Sequence, residues 1–133
     1  MDDIFVARLM TSDVLTVTPD TLVEDAANEL IDNEIGSLVV TDENGRVAGI
    51  LTSTDFVHIV AKSKPKAETT VERYMSTNVS TATAQESIQD AADRMLDLSV
   101  HHMPVVDEDE GVIGMLSTSD LAGYLSQGEA VSS

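Results

Sequence analysis

The chain contains no cysteine, no tryptophan and only two phenylalanines and two tyrosines. Lack of cysteine excludes disulfides, thiolate metal sites and cysteine nucleophiles together. With so few aromatics, the core must be built from Val, Leu, Ile, Met and Ala. Lysine is scarce too, and all of it falls between Lys62 and Lys66. No apolar run approaches the roughly 18 residues needed to span a bilayer. The start Met1-Asp2-Asp3 is not the basic opening of a signal peptide. A cytoplasmic protein without membrane attachment is expected.

What is abundant is acid. Asp and Glu number 24 against 7 Lys and Arg, a net charge of −17. Such a balance argues against nucleic acid as a partner, because that affinity rests on neutralising phosphates. Disorder is not the explanation, since 42% of residues are hydrophobic and they recur with clear periodicity. The composition suits a halophilic setting: at about 1 M salt the Debye length falls to roughly 3 Å, and self-repulsion is screened. Any anionic ligand would need local help in so negative a molecule.

The second half of the chain repeats the first. Met10 to Phe56 lies over Met75 to Leu121 at a constant offset of 65, without a gap, and about a third of the pairs are identical. Met10 meets Met75, Asp25-Ala26-Ala27 meets Asp90-Ala91-Ala92, Gly49 meets Gly114 and Asp55 meets Asp120. A repeat of this length is a whole supersecondary unit, and two copies burying matching faces imply pseudo-two-fold symmetry. Residues 1–60 form repeat one, 61–70 a polar linker, 71–126 repeat two, and 127–133 a flexible tail.

Each copy reads strand, helix, strand, strand, helix. Val14 to Val17 is a β-branched run ended by the turn pair Pro19-Asp20. Thr21 and Glu24 have the spacing of a capping box opening a helix with apolar residues at Leu22, Ala26, Ala27, Leu30 and Ile31. Ser37 to Val40 and Val47 to Leu51 form a hairpin around Asp42-Glu43-Asn44-Gly45, and a last helix follows Thr52 through Val60. In copy two the counterparts are Val79 to Thr83, a helix capped near Ser87, strands Met103 to Val106 and Val112 to Leu116, and a helix from Ser117 to Leu125. The hairpin glycine, Gly111, comes one place later than Gly45, so the two turns should differ in type.

The pattern of Met-Thr-x-x-Val, an Asp-Ala-Ala helix, Pro-Val-Val-Asp and Gly-Ile-Leu-Thr-x-x-Asp, with its counterparts in the other copy, resembles a tandem pair of CBS domains, or Bateman module. The resemblance spans Met10 to Leu125. It implies an α+β fold in which two β-α-β-β-α repeats pack through their sheets. It also implies clefts for an adenosine ligand: AMP, ADP, ATP or S-adenosylmethionine. Thr52 and Asp55, with Ser117 and Asp120, match the family's hydroxyl and carboxylate. A carboxylate can accept both ribose hydroxyl protons, and a hydroxyl at a helix N-terminus can donate to phosphate. By the same resemblance, the cleft with Thr52 and Asp55 receives Thr77, Val79, His101 and His102. The cleft with Ser117 and Asp120 receives Ser12, Val14, Gly36 and Ser37. The histidine-bearing cleft is then the one suited to AMP or ADP.

Plainer roles compete with these. Thr52 and Ser117 are also good N-caps, and Asp55 and Asp120 suit the first turn of a helix. His101 and His102 are adjacent on a strand and point to opposite faces, so they are a poor metal pair. The run Asp107 to Glu110 lacks the spacing of a calcium loop. Serine-hydrolase and phosphate-loop motifs are absent, and no enzymatic activity is expected. The expected function is a regulatory sensor of adenine nucleotides that signals to an unidentified regulated protein. It should form a homodimer through outer-helix residues such as Phe56, Ile59, Leu121 and Tyr124. The competing possibility is a constitutive dimerising scaffold.

Overall fold

In the computed structural model, residues 4–62 and 69–132 are described. They form two compact units whose limits differ from those of the sequence repeat. One is contiguous, Val14–Val79; the other, split, combines the chain up to Asp13 with the chain from Ser80 onward.

The contiguous unit holds β1 (Thr16–Val17), α2 (Val23–Asp32), β2 (Ser37–Thr41), β3 (Val47–Thr52) and α3 (Ser53–Lys62). The split unit holds α1 (Val6–Leu9), β4 (Ala82–Thr83), α4 (Ile88–Leu98), β5 (His102–Asp107), β6 (Gly111–Ser117) and α5 (Thr118–Ser132). Each has a three-stranded sheet, ordered β1-β2-β3 or β4-β5-β6, with the first pair parallel and the second antiparallel. Both hairpins slip register at the same place, skipping Ala48 and Ile113. The turns differ as expected: Gly45 adopts positive φ within its turn, whereas Gly111 does so as the first residue of β6.

The cores follow one template. In the contiguous unit Ala26, Leu30, Leu38, Val40 and Leu51 are buried together; in the split unit Ala91, Met95, Met103, Val105 and Leu116 take their places. Each core also takes a valine from outside its own copy of the strand-helix-hairpin-helix pattern. Val6 is fully buried in the split unit and Val71 in the contiguous one. They are 65 residues apart, so the structural repeat begins six residues earlier than the sequence match, at Ile4 and Thr69.

These leading segments are bound by backbone hydrogen bonds. Val6 N–H donates to Glu86 O and Ile88 N–H to Ile4 O; correspondingly, Val71 N–H donates to Thr21 O and Val23 N–H to Thr69 O. Further on, Thr11 and Met115 exchange both backbone bonds at 2.9 Å, and Ser76 and Ile50 do so at 2.9 and 3.0 Å. The exposed edges of β6 and β3 are thereby covered.

Such close approach dictates glycine beside it. A Cβ on Gly114 would lie 2.5 Å from Met10 Sδ and 3.0 Å from Thr11 O. One on Gly49 would lie 2.7 Å from Met75 Sδ and 2.8 Å from Ser76 O.

Several local expectations need correction. Thr21 does not cap α2. Its hydroxyl accepts from Thr18 N–H, and the N-cap is Leu22, without a side-chain bond. The helix start is held instead by the Leu22–Thr70 bridge. Ser87 does cap α4, accepting from Asp90 N–H at 3.1 Å. The first strands are shorter than the β-branched runs suggest.

In copy two, Pro104 stands where Val39 pairs with Thr16, and no N–H is available for an equivalent Thr81 ladder. The Arg94 guanidinium donates instead to Thr81 O (2.8 Å) and Ser80 Oγ (3.1 Å), and pairs with Glu86 (2.5 Å). Helix α5 runs to Ser132, past residue 127 where a tail is expected; no proline stops it, and Gly123 and Gly128 cost only about 1 kcal/mol each. Most of the expected linker, 63–68, lies outside the described residues.

The glycine constraint is directly testable. Gly49→Ala and Gly114→Ala should each lower stability by about 1–3 kcal/mol in urea unfolding. Adding Met10→Ala should restore much of the loss at Gly114, where the sulfur is the tightest contact. Adding Met75→Ala should restore less at Gly49, because the carbonyl of Ser76 remains at 2.8 Å.

Candidate functional site

In each unit the second hairpin strand passes directly into the last helix, and the junction carries the matched hydroxyl and carboxylate. Thr52 N–H donates to Asp55 Oδ2 at 2.8 Å, and Asp55 N–H donates to Thr52 Oγ1 at 3.2 Å. Ser117 and Asp120 make the same pair of bonds at the same 2.8 and 3.2 Å. This reciprocal arrangement is a capping box, with the hydroxyl residue at the N-cap and the carboxylate at the third helical position. The structural role weighed from the sequence is therefore real at both places.

A third anchor comes from the residue before the central strand. Ser53 N–H donates to Gly36 O at 2.9 Å, and Thr118 N–H to His101 O at 3.0 Å. In register with the box, Ser37 stands opposite Thr52 and His102 opposite Ser117. Directly opposed residues of an antiparallel pair present their side chains on the same face, with Cβ atoms about 4.5–5.5 Å apart. The junction thus assembles Ser37, Thr52 and Asp55 in one unit and His102, Ser117 and Asp120 in the other.

Ser12 belongs with the split unit and follows Thr11, which pairs with Met115 two residues before Ser117. Thr77 belongs with the contiguous unit and follows Ser76, which pairs with Ile50 two residues before Thr52. Val79 ends the contiguous unit and Val14 begins it.

Compared with the sets drawn from the resemblance, Thr77 and Val79 share a unit with Thr52 and Asp55, and Ser12 shares one with Ser117 and Asp120. His101 and His102 lie in the unit of Ser117 and Asp120, and Gly36, Ser37 and Val14 in the unit of Thr52 and Asp55; within each unit the hairpin register sets the start of the central strand opposite the motif of its own copy.

His102 is half-buried, whereas His101 is exposed. Burial holds the His102 pKa below its ordinary value of 6.5. The neighbouring His101 lowers it further, and Asp120 opposes the shift. Among the described residues, no group of three or more His, Cys, Asp or Glu is placed to hold a metal ion. No helix among them is long and apolar enough to cross a membrane.

The lowered His102 pKa links folding to pH. Below about 6.5 the unfolded chain binds a proton at this position before the folded one does. Stability should fall with decreasing pH between that value and the lowered folded one, and be unaffected by His102 above it. In urea unfolding across this range, the difference between wild type and His102→Gln should carry that slope.

Comparison with known proteins agrees with this architecture. The CBS domain family matches residues 6–62 and 71–127. An uncharacterised 17.7 kDa protein of Acidianus ambivalens is 35% identical over 120 residues, covering 90% of this chain and 72% of that protein. A homoserine O-acetyltransferase of Methanosalsum zhilinae is 33% identical over 121 residues, but the match spans only 24% of its length.

Among solved structures, a CBS domain pair in complex with 5′-methylthioadenosine and S-adenosyl-L-methionine superposes with a TM-score of 0.88 at 27% identity, covering 96% of this chain and 99% of that one. CBSX2 in complex with AMP gives 0.83 at 25% identity, covering 94% and 98%. The chain belongs to the CBS domain family and carries two CBS domains in tandem.

Proposed function

We propose that the protein is a sensor of adenosine-containing metabolites, with one ligand site on the strand-to-helix junction of each unit. The observation that carries this reading is the doubled capping box. The box engages Oδ2 of Asp55 and Asp120, so Oδ1 is the oxygen to accept from ribose hydroxyls. The Thr52 and Ser117 hydroxyls accept within the box and keep a proton to donate. At the second helical position, the Thr54 and Ser119 amides have no intrahelical acceptor and face an incoming anion. Thr77 and Val79 line one site and Ser12 the other. Support comes from the similar CBS pairs crystallised with S-adenosyl-L-methionine, methylthioadenosine or AMP.

Ligand can act only through unequal affinity for two arrangements of the module. A regulated protein would read the change; the acetyltransferase match shows that related CBS sequence occurs within longer enzymes. The acidic composition fits operation in high salt, so binding belongs in molar KCl. By calorimetry, Asp55→Asn and Asp120→Asn should each weaken one adenosine site at least tenfold, since asparagine can retain the cap through its carbonyl but loses the charge. Unchanged binding in both variants would sink the assignment.

A homodimer is part of this proposal, with a revised surface. Ile59 is buried, and Phe56 and Leu121 pack on the cores, so they are not the residues left over for a partner. Val57 and Val60 on α3 are 67% and 74% exposed, and Leu125 on α5 is 66% exposed. They offer the apolar surface for a second copy. Sedimentation should show a dimer for wild type and a monomer for Val57→Glu with Val60→Glu.

A further inference from the structure

The split unit lacks the Thr81 rung that would match Thr16–Val39, and the Arg94 guanidinium stands in for it. Its Nη1 donates to Thr81 O at 2.8 Å and to Ser80 Oγ at 3.1 Å. Its Nη2 donates to both carboxylate oxygens of Glu86, at 2.6 and 2.5 Å. Glu86 is fixed in turn: its carbonyl accepts from Val6 N–H at 2.9 Å, and its own N–H donates to Thr83 O at 3.2 Å. The Glu86 side chain is only 19% exposed, so salt screens this pair less than one on the open surface. The contiguous unit has no such fork, because Glu29 stands in place of Arg94 and Thr21 in place of Glu86.

The fork holds the chain at the point where it leaves the contiguous unit. That unit ends at Val79, and the split unit resumes at Ser80. Residues 77–81 belong to no helix or strand. Upstream, Ser76 is tied to Ile50 by two backbone bonds; downstream, β4 begins at Ala82. With Arg94 in place, the stretch between anchors is Thr77, Asn78 and Val79. Without it, the stretch runs on through Thr81.

We propose that Arg94 is a positioning residue for the adenosine site of the contiguous unit. By holding Ser80 and Thr81 it keeps Thr77 and Val79 in place, so a side chain of the split unit sets the affinity at Thr52 and Asp55. This inference rests on the adenosine reading above and adds to it a control exerted from outside the site.

The coupling runs through the covalent chain. A segment ordered in advance does not have to be ordered when ligand binds. Fixing the backbone of even one further residue on binding lowers affinity by a factor of about five. If Arg94 served only to stabilise its own unit, its loss would be felt first at Ser117 and Asp120, which belong to that unit. The positioning role predicts the reverse.

The test is calorimetry with S-adenosyl-L-methionine and with AMP on the full chain in molar KCl, one site at a time. The Asp120→Asn chain reports the contiguous unit's site, and the Asp55→Asn chain reports that of the split unit. Arg94→Met should weaken binding about fivefold or more in the first background and leave the second within twofold. Glu86→Gln, which leaves the fork one weakened partner, should weaken the first site in the same direction but by less. The two substitutions change the net charge in opposite senses, so a mere field effect on the ligand would move affinity in opposite directions. Should Arg94→Met fail to fold, Glu86→Gln decides alone. An unchanged contiguous-unit site, equal losses at both sites, or opposite shifts in the two variants would overturn the proposal and leave the adenosine reading standing. So would binding in the Asp55→Asn chain with none in the Asp120→Asn chain. If neither background binds either probe, the adenosine reading fails and this inference with it.

Discussion

Both units depend on one close approach of backbone to backbone. A short segment, Met10-Thr11 or Met75-Ser76, lies against the outer strand of a hairpin and exchanges two hydrogen bonds with it. The approach is possible only because Gly114 and Gly49 present no side chain to the methionine and carbonyl opposite. Once the segment is seated, Val6 and Val71 fall into their cores, the bridges at Ser87 and Leu22 form, and the edge strands are no longer open. A strand edge left bare would invite pairing with another chain. Here a piece of the same chain occupies it.

The capping box shows why stability and ligand chemistry are hard to separate in this fold. Its hydroxyl and carboxylate satisfy two backbone amides where the hairpin passes into the last helix, and each side chain keeps atoms the box does not use. Antiparallel register sets a residue opposite each box, and the two are unlike: a hydroxyl at Ser37 and an imidazole at His102.

Much of this was legible before any coordinates. The repeat, the order of elements, the different hairpin turns and the paired Thr52/Asp55 and Ser117/Asp120 all follow from spacing and residue type. Other features were hidden for identifiable reasons. The leading segments Ile4–Leu9 and Thr69–Tyr74 share only Val6/Val71 and Arg8/Arg73, too little to extend the match by sequence. Their pairing is through backbone, which leaves no mark on side-chain choice except at the glycines. Thr21 had the right spacing for a cap, but a bridge from Leu22 to the distant Thr70 holds the helix start instead. Phe56 and Ile59 were assigned to an outer face because helical periodicity alone does not say which apolar stripe meets the sheet.

The exchange of leading segments also sets the order in which the protein can be completed during synthesis. Val14–Val79 is an uninterrupted stretch, and once Ser76 has emerged every strand of that unit is present. The segment from Ile4 to Thr11 is made before the contiguous unit and seated after it: its bonding partner Met115 lies more than a hundred residues downstream. Until then Val6, Leu9 and Met10 have no core to enter. Domains made on the ribosome generally fold from the N-terminus onward, but here Ile4 to Thr11 must wait for Met115, and this segment serves as the closing piece of the split unit.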